Sequence, residues 1–140
     1  MTEAPKTLSV NGVWQGGYRC EVAGKEHRIV VDEPESAGGG GTGPQPTEVF
    51  LASLSSCFTL AVYHVARKRS ITVNALEVKV TGTYKGLAFA DLLIEVDLDA
   101  ETDQPEMLIE RAKAVCYVSN TLDLGPALTV RRSGPPTPGT

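Results

Sequence analysis

Eighteen consecutive residues, Val49 to Ala66, carry no formal charge. A helix that is apolar nearly all round belongs in a membrane or in a core. A spanning helix wants ~20 predominantly apolar residues, whereas this run contains Ser53, Ser55, Ser56, Thr59 and His64. A buried core helix is therefore the expectation, over Thr47 to about Ser70. Pro46 suits the helix start, and Arg67-Lys68-Arg69 place positive charge where the helix dipole favours it. Phe50, Leu54, Cys57, Ala61 and Val65 make one stripe at spacings of four, three, four and four. Val49, Phe58, Leu60 and Val62 are read onto the opposite side. Such a helix needs cover on both sides. In a chain of 140 residues a sheet supplies one side, and a second subunit is the obvious candidate for the other.

The rest of the chain supplies the sheet. β-Branched and aromatic residues between Gly-rich turns predict strands over Thr7–Trp14, Tyr18–Val22 and His27–Val31. A Gly- and Pro-rich loop without regular structure is expected from Asp32 to Pro46, with a tetraglycine at Gly38–Gly41. Two longer strands follow, about Leu76–Tyr84 and Ala88–Leu98, turning near Lys85-Gly86. Leu76, Val78 and Val80 alternate with Glu77, Lys79 and Thr81, so one face should be buried and one wet. Pro105 opens a second helix to about Val118, with Ile109, Ala112 and Cys116 on one face. A last strand is expected over Ala127–Arg131. The order βββ-α-ββ-α-β points to an α+β fold in one domain, residues 1–132, with a mobile tail over 133–140.

Composition narrows the partners. Thirteen basic against seventeen acidic residues give a net charge of −4, which argues against nucleic acid or an anionic membrane surface. The first six residues have no basic segment leading into an apolar one, so no signal peptide is read. Three cysteines without an export signal do not suggest a secreted disulfide scaffold, and the cytoplasm is the expected location.

Chemistry rests on the cysteines. Cys57 and Cys116 each read first as small core residues. Both fall on inward stripes of the two helices, however, so their sulfurs could meet. Cys20, in a strand beside Arg19, reads as a bystander. A reactive thiol needs a cation or hydrogen-bond donor to stabilise its thiolate, and Arg19 and Arg28 are candidate cations. Glu48 complements the helix dipole. It stands nine residues before Cys57, ~13 Å away along the axis and on the opposite face, so it cannot touch that thiol within one straight helix. No Cys/His spacing suggests a metal site, and the tetraglycine lacks the ending of a phosphate-binding loop.

Two segments carry a resemblance. One is Asp32-Glu33-Pro34 followed by Gly38-Gly39 and then Gly43-Pro44-Gln45-Pro46-Thr47-Glu48 through Ser56-Cys57. The other is Val115-Cys116-Tyr117-Val118-Ser119-Asn120-Thr121-Leu122. Both are similar to the signatures of the OsmC/Ohr family, the osmotically inducible and organic-hydroperoxide-resistance proteins. The resemblance implies an intertwined homodimer with the long helices between two sheets, and a thiol peroxidase needing neither metal nor flavin. By analogy Cys57 is the peroxidatic thiolate and Cys116 resolves its sulfenic acid as a disulfide, which an external dithiol reduces. An arginine held by a glutamate would stabilise the thiolate; Arg19 is the first choice, Arg28 the second, and Glu48 the glutamate. Glu48 stands one residue later after the proline than in the hydroperoxide-resistance branch, which resembles the broader OsmC-like branch. Tyr117 replaces a usual proline. The alternative is a non-catalytic protein of this fold that binds an apolar small molecule at the dimer interface.

Overall fold

The computed structural model describes residues 4–135. Their elements run β1 (Asn11–Trp14), β2 (Cys20–Ala23), β3 (Arg28–Val31), α1 (Pro46–Lys68), β4 (Val73–Lys85), β5 (Ala88–Ala100), α2 (Pro105–Val115) and α3 (Tyr117–Leu124). The expected α+β class holds. The chain divides into two compact units: residues up to Ser56 with Glu77–Asp97, and Cys57–Leu76 with residues from Leu98 onward.

In the first unit, β1, β2 and β3 form an antiparallel meander in that order. Trp14 pairs with Cys20 across the first turn, and Cys20 with Val31 across the next strand. The strands are shorter than the sequence predicts, beginning at Asn11, Cys20 and Arg28. The connection after β3 is not free of regular structure as expected: Glu35–Ala37 form a single 3-10 turn closed by Gly38 at φ 92°. The tetraglycine has a steric reason next door, because a Cβ on Gly39 would collide with the Glu33 carbonyl.

Helix α1 starts at Pro46, and the Glu48 carboxylate accepts the Gln45 N–H at 3.4 Å. That is the reach of the third helical residue back to the cap residue. The first half of α1 sits on the β4–β5 hairpin. Phe50 stacks on Phe89 with centroids 6.0 Å apart, the Ser55 hydroxyl donates to the Val78 carbonyl at 2.7 Å, and Tyr84 donates to the Thr47 hydroxyl at 2.8 Å. Along β4, Leu76, Val78 and Val80 are half-buried and Glu77, Lys79 and Thr81 exposed, the alternation read from the sequence.

In the second unit, Val65 and Ala66 pack with Leu108 of α2, and Ile71, Val73, Leu98, Ala100 and Met107 close around them. Of the predicted stripe on α1, Leu54, Ala61 and Val65 are buried, but the buried side is wider than that stripe. Phe58 and Val62, placed on the far side by sequence, are 3% and 0% exposed, while Phe50 is open. On α2 the fully buried pair is Leu108 and Ala112 rather than Ile109 and Ala112. Leu60 and Tyr63 keep 65% and 53% of their surface exposed, so one chain covers α1 on one side only. By length and composition α1 is the one helix among the described residues that could cross a membrane. Its burial and its place on the hairpin identify it as a core helix.

Two expectations at the C-terminal end are corrected. The second helix does not run to Val118: it stops at Val115, Cys116 takes an extended conformation at φ −81° and ψ 111°, and α3 begins at Tyr117. No strand forms over Ala127–Arg131 either, where Leu128 and Val130 are each 89% exposed. β propensity reflects packing on a pleated, half-buried surface rather than an intrinsic backbone preference, and this segment has no neighbouring strand among the described residues. Residues 136–140 of the expected tail lie outside the described residues.

Leu108→Ala should lower unfolding stability by ~2–5 kcal/mol, because it empties a fully buried site. The urea midpoint measured against the parent protein checks this, and an unchanged midpoint would remove Leu108 from the core.

Candidate active site

The interruption between α2 and α3 makes the site. Cys116 is the cap residue of α3 and its carbonyl accepts the Asn120 N–H at 3.0 Å. The Asn120 side chain reaches back to the Ala114 carbonyl at 3.0 Å, satisfying an acceptor that the end of α2 leaves unpaired. The Cys116 side chain is fully buried, beside the unpaired N–H groups and positive dipole end of α3.

Burial pushes the Cys116 thiol up. Against it act the Ser119 hydroxyl and N–H, the Cys57 thiol and the Val118 N–H, all of which stabilise the thiolate. The donors prevail, and Cys116 lies below the ordinary thiol value of 9.0. Because Cys57 is among the groups that act on the Cys116 thiol, the two cysteines are neighbours. The two cysteines are free thiols, and only Cys57 is partly accessible. Cys57 opens onto a cleft of about 610 Å³ walled by Leu60, Ala61, His64, Val115 and Tyr117. An accessible thiol, a buried thiol able to stabilise or trap it, and an apolar approach are thus assembled within one unit. Among the described residues no cluster of His, Cys, Asp and Glu could hold a metal.

The other predicted residues belong to the first unit. Arg19 is half-buried; its Nε donates to Gln15 Oε1 at 2.8 Å and an Nη to the Thr42 hydroxyl at 2.7 Å. Glu48 is occupied with the start of α1. Arg28 pairs with Glu21 at 2.7 Å and holds that carboxyl below its ordinary value. Cys20 lies in β2, half-buried.

What sequence reasoning missed is the device that fixes Arg19. The Thr42 hydroxyl donates to Asp32 Oδ2 at 2.6 Å, so its lone pairs face Arg19. Asp32 is 3% exposed and also accepts the Gly40 and Thr42 N–H groups at 3.3 and 3.2 Å. The Thr42 hydroxyl, opposed by burial and aided by those N–H groups, lowers the Asp32 carboxyl. Asp32 stood in a recognisable motif, but nothing in the sequence tied it to Thr42. Ser119, three residues after Cys116, becomes visible only once the helix break is known.

Residues 38–131 match the family model described as OsmC-like protein. No curated protein sequence matches the chain. Among solved structures the fold is similar to an OsmC-like protein from Mycoplasma pneumoniae, with TM-score 0.75 and 18% identity over 86% of this chain and 89% of that one. It is also similar to an organic hydroperoxide resistance protein from Elizabethkingia anophelis, with TM-score 0.59 and 24% identity over 86% and 90%. A third, from Legionella pneumophila and also described as an organic hydroperoxide resistance protein, has TM-score 0.59 and 23% identity over 86% and 91%.

Ser119→Ala removes the hydroxyl donor and leaves the burial, so the Cys116 thiol should rise. Slower disulfide-exchange labelling of the buried Cys116 at neutral pH, with an upward shift in its pH profile, is the expected result. Thr42→Val should raise the Asp32 carboxyl. A lowered carboxyl contributes stability above the ordinary value of 3.8, and that contribution is lost as pH falls through the folded value. The variant should therefore unfold at a higher pH in an acid titration followed by circular dichroism.

Proposed function

The chain belongs to the OsmC-like family, and on that premise we propose that it is a thiol-dependent peroxidase reducing organic hydroperoxides. One observation carries the reading: the Cys57 thiol opens onto an apolar-walled cleft beside a buried Cys116 whose thiol lies below its ordinary value. The proteins from Elizabethkingia anophelis and Legionella pneumophila, described as organic hydroperoxide resistance proteins, support the substrate class.

Access decides which sulfur attacks. Cys57 faces the cleft and Cys116 is enclosed. The Cys57 thiolate attacks the distal peroxide oxygen; the O–O bond breaks and the leaving alkoxide takes a proton to become the alcohol. Cys57 is left as a sulfenic acid. The Cys116 sulfur displaces the hydroxyl as water and forms the disulfide, which an external dithiol reduces in two exchange steps. Arg19, fixed by Thr42 and Gln15, is the proposed cation for the thiolate and the developing oxyanion. Glu48 in this reading supports the helix start. The exposed apolar side of α1, with Leu60 and Tyr63 open, supports a homodimer.

A second reading has an observation of its own. The cleft of about 610 Å³ is large enough for a small apolar ligand, and a binding protein of this fold would use it without turnover.

Peptide-mapped mass spectrometry after one equivalent of tert-butyl hydroperoxide separates the two. A Cys57–Cys116 disulfide should form as the peroxide is consumed, and Cys57→Ser should reduce consumption to the rate without protein. Persistent peroxide with both thiols reduced would overturn the peroxidase reading and leave ligand binding.

A further inference from the structure

The thiol cleft has a neighbour. His64 and Val115, which wall it on one side, also wall a second cleft of about 230 Å³ at the C-terminal end of α1. Lys68, Arg69 and Arg111 line this one. No Asp or Glu lines either cleft, and among the described residues none of the three cations has a carboxylate partner.

Two of these cations have an ordinary explanation. Lys68 and Arg69 stand at the end of α1, where positive charge offsets the helix dipole. Arg111 has no such reason to be there. It lies on α2, one turn before Ala114 and Val115 on the same face, and lines the same cleft as the two cations that end α1. Like charges gathered in a concavity cost free energy unless an anion joins them. The spacing along α1 links the two clefts. Cys57, Ala61, His64 and Lys68 recur at four, three and four residues, a single helical stripe with the thiol at one end and the cation ~16 Å away at the other.

We propose that the Lys68–Arg69–Arg111 cleft is an anion subsite, and that the two clefts together bind an elongated amphiphilic anion with its apolar body over Cys57 and its head on these cations. Arg111 is the specificity-determining member, since it comes from a separate helix and can hold a carboxylate through two parallel N–H bonds. The inference goes beyond the peroxidase reading, because binding is measured without turnover.

The test is calorimetric titration of the reduced protein with decanoate and, as the uncharged match, decanamide. Decanoate should bind about tenfold more tightly or better, as charge-assisted hydrogen bonds of ~1.5–3 kcal/mol require, and the advantage should shrink as salt rises. Lys68→Gln combined with Arg111→Gln should abolish the advantage while decanamide binds as before, which also certifies that the variant is folded. Equal binding of the two ligands, or an advantage that survives the double substitution, would overturn the subsite. Peroxide consumption by the same variant with tert-butyl hydroperoxide should be unchanged, so a failed subsite and a failed peroxidase are told apart.

Discussion

More apolar surface lies on α1 than one chain of this size covers. The buried side, with Leu54, Phe58, Val62 and Ala66 all at or below 3% exposure, fixes the helix in each unit. In the first it lies on the β4–β5 hairpin, and in the second on Leu108. Burying such side chains contributes ~1.5–3 kcal/mol each, which holds a helix whose middle carries no charge. The other side, with Leu60 and Tyr63 open, is the reason a second copy enters the functional proposal. It also explains why Cys57 ends in an apolar cleft: the thiol lies at the margin between the covered and uncovered sides.

How far this was legible depended on whether a feature is local in sequence. The α1 stripe, the proline at its start and the alternation along β4 are set by periodicities of 3.6 and 2, and they were readable. The error over Phe58 and Val62 follows from the same arithmetic. A helix apolar all round has no polar side to orient it, so its sequence does not say which arc faces inward. The strand expected over Ala127–Arg131 failed for the complementary reason, since a strand exists only in a ladder and its residues do not name a partner. The Asp32–Thr42–Arg19 chain of hydrogen bonds was invisible because it spans ten and twenty-three residues and depends on the fold of the glycine-rich loop.

Electrostatics at the thiol pair turn on a competition. Full burial opposes a thiolate at Cys116, and a single donor would not reverse that. The reversal takes the start of α3 as a whole: the Ser119 hydroxyl, two N–H groups of its first turn and the Cys57 thiol converge on one sulfur. A continuous helix through Cys116, as the sequence suggested, would have committed those N–H groups to backbone carbonyls. The break is what makes the cysteine acidic, so the correction to the fold is also the physical basis of the site.

That break forms without a proline at its edge. Proline at the first helical position fixes φ and lacks only an N–H that would be unpaired there anyway. Tyr117 occupies that position here and supplies no such constraint. Asn120 takes over the task from inside α3. Its backbone N–H binds the Cys116 carbonyl while its side chain binds the Ala114 carbonyl, so one residue pins both sides of the turn. Lys113 and Asp123 add an exposed ion pair at 3.1 Å between the two helices, worth little by itself. The geometry around Cys116 therefore rests on an amide clamp rather than on a rigid ring, and Tyr117, freed from the turn, becomes part of the cleft wall over Cys57.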